Sequence, residues 1–137
     1  MGRFLTPTER DIWERFKTTQ LPELTDFYYE TPIVRLSPEC RYIELHQVDW
    51  WTKLTAFKAD VIFNAAGDWH LVEVEEELNT ESIGQAVAYT ALWNNLNPGI
   101  PIKQTWIVTA GHDPRLEPAL KAAGITHFLV NQLPTSR

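Results

Sequence analysis

The sequence predicts a single α/β domain, a mixed α+β arrangement in which one central mixed sheet is flanked by helices. The chain has 137 residues, enough for one hydrophobic core and too few for two, and no repeat, low-complexity tract or linker divides it. Stretches with helical and strand periodicity follow in the order helix, several antiparallel strands, helix, strand, helix, strand. Between Glu73 and Trp106 a strand, a long helix and a further strand form a βαβ unit, expected to close as a right-handed parallel crossover. The core of the domain is expected over about residues 7–130.

Three signals agree on the first helix: Thr6 as N-cap, Pro7 at its first position, and Glu9 closing a capping box. Ile12, Trp13 and Phe16 lie near one face and are expected in the core, with Arg10 and Glu14 as a surface ion pair and Leu21-Pro22 as the stop. From Pro22 to Pro38 the pattern is weak, with short extended pieces at Tyr28-Tyr29 and Ile33–Leu36. Arg41 to Val48 reads as a strand, and Trp50-Trp51 as a plug at the core edge or a platform on which bases stack.

A hairpin comes next. Lys58 to Asn64 is a β-rich run, Ala65 to Asp68 a tight turn with Gly67 available for positive φ, and Trp69 to Glu75 the return strand. A helix is expected from Thr80 or Ser82 to Leu96, stopped by Asn97-Pro98-Gly99. Lys103 to Ala110 is a strong strand, and a short helix follows from Asp113-Pro114 to Gly124, with Pro118 predicting a kink or early break. Ile125 to Val130 is the last strand, ahead of a tail over 133–137.

Composition narrows the function classes. At 44% hydrophobic and 22% charged residues, the chain resembles an ordinary soluble domain, and without a run of about 18 apolar residues or a signal-peptide pattern a cytoplasmic protein with no membrane partner is expected. The only cysteine, Cys40, excludes an internal disulfide framework and a multi-cysteine zinc site. A net charge of −6 argues against a broad non-specific nucleic-acid surface, but leaves room for a local site. His46, His70, His112 and His127 are scattered without metal-ligand spacing, and neither a phosphate-binding glycine loop nor a nucleophile elbow is present.

Four of the five residues from Glu73 to Glu77 are glutamates. Strand alternation places Trp69, Leu71, Glu73 and Glu75 on one face, with the two glutamates roughly 7 Å apart, and Lys58, Asp60 and Ile62 on one face of the preceding strand. Asp60, Glu73 and Glu75, with Lys58 beside them, can therefore share one small area. Like charges this close repel unless a cation neutralises them, and a three-carboxylate pocket suits Mg²⁺ or Mn²⁺, hard ions that take oxygen ligands. The alternative is a solvated charged face on an edge hairpin.

The arrangement resembles the PD-(D/E)XK nuclease superfamily, the restriction-endonuclease-like fold. In that pattern an Asp heads one strand, an acid-x-Lys tripeptide lies about a dozen residues later on the next strand, and a helix follows. Asp60 sits in Lys58-Ala59-Asp60-Val61-Ile62, and twelve residues separate it from Glu73 in Leu71-Val72-Glu73-Val74-Glu75. The following helix carries Gln85-Ala86-Val87-Ala88-Tyr89, which matches the Gln-x-x-x-Tyr pattern of many members. With the first helix, the resemblance covers about residues 7–110. One departure stands out: Glu75 occupies the usual Lys position. Some active restriction enzymes of this fold carry Glu there.

The resemblance implies a metal-dependent endonuclease that hydrolyses DNA phosphodiester bonds through a metal-activated water. Asp60 and Glu73 would be ligands of Mg²⁺ or Mn²⁺, with the Val74 carbonyl as a third. Glu75 would bind metal or activate water, and Lys58 could supply the missing positive charge from the neighbouring strand. Gln85 would contact backbone or substrate, with Tyr89 one turn along the helix; the competing readings are a Ser82-x-x-Gln85 capping box and a core tyrosine. Glu9 or Glu14 could add an acid from the first helix, although capping and ion pairing already account for them. Small members of this family work as homodimers or in larger assemblies. The rival reading is a catalytically degenerate module that keeps the fold to bind a protein or nucleic-acid partner.

Overall fold

The computed structural model describes residues 5–36 and 56–132, so the strand expected over 41–48, the tail over 133–137, Cys40, His46 and Trp50-Trp51 lie outside the described residues. Helix α1 runs over Pro7–Gln20 with the expected capping box: the Thr6 hydroxyl accepts from the Glu9 N–H, and the Glu9 carboxylate accepts from the Thr6 N–H. Glu14 pairs with Lys17 at 2.9 Å rather than with Arg10, so the ion pair spans three residues instead of four. Strand β1 (Phe27–Pro32) fills the weakly patterned region, while Ile33–Leu36 continues without strand structure.

Strands β2 (Lys58–Ala65) and β3 (Asp68–Glu77) form the expected hairpin. Ala66 and Gly67 have φ of 53° and 90°, the positive pair that a two-residue type I′ connection needs, and Asn64 Oδ1 accepts from the Gly67 N–H. Helix α2 (Thr80–Leu96) leads to β4 (Ile102–Gly111), a turn of 3₁₀ helix over Pro114–Leu116, helix α3 (Glu117–Ala123), strand β5 (Ile125–Leu129) and a second 3₁₀ turn over Val130–Gln132. Pro118 produces no kink: the break falls before it, and it lies in the first turn of α3, where a missing N–H costs nothing.

Among the described residues five strands lie in the order β1-β2-β3-β4-β5, antiparallel across the first two junctions and parallel across the last two. This is the mixed sheet expected, with β3 and β4 joined in parallel across α2. Helices cover both faces. Ile12, Trp13 and Phe16 of α1 pack with Val61, Phe63, Val72, Val74 and Val108. On the opposite face Tyr89 and Trp93 of α2 meet Ile62, Leu71 and Ile102. Farther along that face Ile83 and Ala86 of α2 meet Ile107, Leu120 and Ile125.

Candidate functional site

Asp60 and Glu73 fall where the sheet opens. Toward β3, the backbone pairing of β2 ends at Val61↔Val72. Toward β1, the register runs through Tyr29↔Val61 and Thr31↔Ala59 but skips the Glu30–Asp60 couple, where Glu30 has a φ of 51°. A non-glycine residue in this conformation is strained, and the pairing is interrupted at Glu30 without a shift of register. Two backbone N–H groups at the opening are then taken by carboxylates. Val74 N–H donates to Asp60 Oδ2 at 2.8 Å, and Asp60 N–H donates to Glu73 Oε2 at 3.0 Å. The side chains thus bind across the fork, each holding the other's strand.

This geometry rules out the solvated edge hairpin. Strand β3 is the middle strand of the five, Asp60 is 0% exposed and Glu73 1%. Lys58 is also buried, at 6%, and Glu75 is half-buried on the same face. With all groups ionised, Asp60, Glu73 and Lys58 leave one net negative charge among buried side chains. A strand residue points its N–H and C=O to the same edge, so the Val74 carbonyl faces the fork as its N–H does. The hydrogen bonds use Oδ2 and Oε2. Oδ1 and Oε1 are both buried.

Gln85 needs a correction. The capping box of α2 is formed by Asn79 and Ser82: Ser82 N–H donates to Asn79 Oδ1 at 2.7 Å, and Asn79 N–H donates to Ser82 Oγ at 3.2 Å. Gln85 is therefore not a capping residue, and its buried Oε1 accepts no hydrogen bond among the described residues. A buried amide oxygen without a donor is costly, and such an atom beside a cleft calls for a water or ligand. Tyr89 is buried on the same side of the helix, in the apolar cluster with Ile62 and Trp93. Glu9 closes the first cap and Glu14 pairs with Lys17.

The structure also gathers two histidines that the sequence left scattered. Parallel pairing of β4 and β5 brings His112 and His127 into a stack 5.2 Å between ring centroids. Thr109 Oγ1 donates to the Gly111 carbonyl at 2.6 Å and lies 2.7 Å from His127 Nε2, which assigns the proton of that contact to the imidazole. His112 Nε2 lies 3.2 Å from Glu117 Oε1. Their separation in sequence, across a helix, hid the pair. His70 lies elsewhere, stacked on Phe63 at 4.5 Å on the α1 face.

Burial holds the His127 pKa below its usual value, and the charge of His112 lowers it further, against the pull of Glu117. His70 is likewise lowered, by burial first, against its hydrogen bond to the Asp68 carbonyl. An unfolded histidine protonates near pH 6.5, so below that value the unfolded chain binds protons that the folded chain refuses. Stability is full above about pH 6.5 and falls as the pH drops toward the folded pKa. We expect the melting temperature to fall between pH 7.5 and 5.5, and His127→Gln to reduce that fall. An unchanged fall in the variant would refute the assignment.

The described residues contain no group of three or more His, Cys, Asp or Glu side chains arranged to hold a metal. The donor set at the fork is instead two carboxylates and a backbone carbonyl. Among the described residues no helix is long and apolar enough to cross a membrane. Compared with known proteins, the chain matches no family model, no curated protein and no solved structure.

Proposed function

We propose that the protein is a metal-dependent nuclease of the PD-(D/E)XK type, hydrolysing a phosphodiester of DNA at the fork between β2 and β3. The observation that carries this reading is the pair of buried carboxylates, Asp60 and Glu73, on adjacent strands and locked by each other's backbone. Two acids in the middle of a sheet are costly unless positive charge compensates them; the buried Lys58 on the Asp60 face supplies one such charge, and a divalent cation would add to it. The order of parts supports the same reading: Asp strand, Glu-x-Glu strand, then a helix bearing Gln85 and Tyr89.

Bound Mg²⁺ or Mn²⁺ would supply Lewis acidity, lowering the pKa of the attacking water and offsetting the charge of the phosphate. Asp60, Glu73 and the Val74 carbonyl would hold it. Glu75, on the same face two residues beyond Glu73, would accept the proton of the attacking water. Lys58, at the start of β2 on the Asp60 face, provides the ammonium that the family draws from the position of Glu75, and would face the non-bridging phosphate oxygens. The buried Gln85 Oε1 is an acceptor for a water or a substrate donor. A second reading keeps the fold as a partner-binding module, and Glu75 in place of the lysine favours it.

Thermal denaturation with Mn²⁺ separates the two. Binding at a hundredfold excess over Kd stabilises a folded protein by about 2.7 kcal/mol. We expect Mn²⁺ to raise the melting temperature of the wild type and to leave that of Asp60→Asn unchanged. No response in the wild type would discard the hydrolytic reading in favour of the module.

A further inference from the structure

We infer that Phe57 is a stacking platform for an unpaired nucleobase, so that the site takes nucleic acid with a single-stranded or splayed segment in preference to an intact duplex. This rests on the nuclease reading and names its substrate class. Phe57 directly precedes Lys58 and lies about 10 Å from Asp60 by strand rise. Its ring is half exposed, at 49%, and rests 5.6 Å from the Tyr89 ring at a tilt of 35°. The Ile33 N–H donates to the Phe57 carbonyl at 2.8 Å, which anchors the backbone of the platform to the end of β1.

The space in front of this ring is a groove of about 390 Å³, lined by Phe57, Gly84, Gln85, Ala88, Tyr89 and Leu92. That volume is in the range of small-ligand sites and admits one base. The space beside Gly84 is open, since a Cβ there would meet nothing within 4 Å. Gln85, whose buried amide oxygen has no donor among the described residues, forms part of the wall. The groove thus presents an aromatic face, and an unstacked base offers a second π-face to match it.

Stacking selects between single strand and duplex, because only an unpaired base has a free π-face for the ring. The chain has 12 basic residues against 18 acidic ones, so phosphate neutralisation contributes little to either form and the stacked base weighs more.

The test uses the full chain carrying Asp60→Asn, expected to fold without cleaving, and a short DNA oligonucleotide containing a fluorescent purine analogue, supplied as a single strand and as a blunt duplex. We expect the single strand to bind about tenfold tighter than the duplex, with quenching of the analogue on binding. Phe57→Ala should weaken single-strand binding by about tenfold, and Phe57→Trp should restore it. Equal affinity for both forms, no measurable binding, or an unchanged affinity in a folded Phe57→Ala protein would overturn the inference. Capture of an apolar peptide in this groove instead of the base would do the same. The two readings fail separately. Cleavage without strand preference removes only the platform, and Phe57-dependent binding without cleavage by the wild type removes only the hydrolysis.

Discussion

Asp60→Asn and Glu73→Gln are each expected to lower metal-dependent DNA cleavage by about a thousandfold or more while leaving the fold intact. Both substitutions keep the hydrogen-bond geometry. In Asp60→Asn the new amide oxygen can still accept from the Val74 N–H, and in Glu73→Gln it can still accept from the Asp60 N–H, so neither backbone donor is orphaned. What each variant loses is one negative charge at the place where a divalent cation would be held. Alanine would be the wrong probe, because leaving a buried N–H without an acceptor costs about 1–3 kcal/mol by itself and confuses stability with chemistry. Plasmid, single-stranded and branched DNA should be compared with Mg²⁺ and Mn²⁺, and circular dichroism should confirm folding. Activity within tenfold of the wild type in either folded variant would exclude the fork as the catalytic centre.

Trp93→Ala is expected to give the largest loss of stability from a single side chain, about 3–5 kcal/mol. Trp93 is 0% exposed and packs with Ile62, Leu71, Tyr89 and Ile102 between α2 and the sheet. Its indole Nε1 donates to the Ile100 carbonyl at 2.8 Å, and this fastens the loop after α2 to the helix itself. Truncation removes the packing, leaves a cavity and strands a carbonyl. For a domain whose total stability is about 5–15 kcal/mol, this is a large share, and the melting temperature should fall by on the order of 10–20 °C. Denaturant titration of the wild type and variant measures it. A loss under about 1 kcal/mol would show that the cluster relaxes into the space.

Local chemistry made much of this fold readable. The Thr6–Glu9 box, the glycine turn at Ala66-Gly67 and the stop at Asn97 each act within a few residues, and each appears where the sequence placed it. Shared faces were readable for the same reason, since alternation along β2 and β3 requires no knowledge of their neighbours. Lateral position was not. Alternating acids and apolar residues describe an edge strand as well as a central one, and only the pairing of β3 with both β2 and β4 shows that Glu73 is buried. Asn79 as cap was hidden by Ser82, because both are good capping residues and only backbone conformation decides between them. Nothing in Tyr28-Tyr29-Glu30-Thr31 marks the positive φ at Glu30, whose strain is maintained by its surroundings.

The hairpin bears on how the site comes into being. Asp60 and Glu73 are joined by a single two-residue connection, and the β2–β3 ladder between them closes in register from Ala65↔Asp68 to Val61↔Val72. Closing so short a loop takes little chain entropy, whereas the parallel pairing of β3 with β4 must wait for the whole of α2 to be spanned. Connectivity therefore favours pairing of the two acids before the crossover helix covers them. Under the proposed nuclease reading, that order would let a hydrated cation enter with the carboxylates before docking of α2 closes the site.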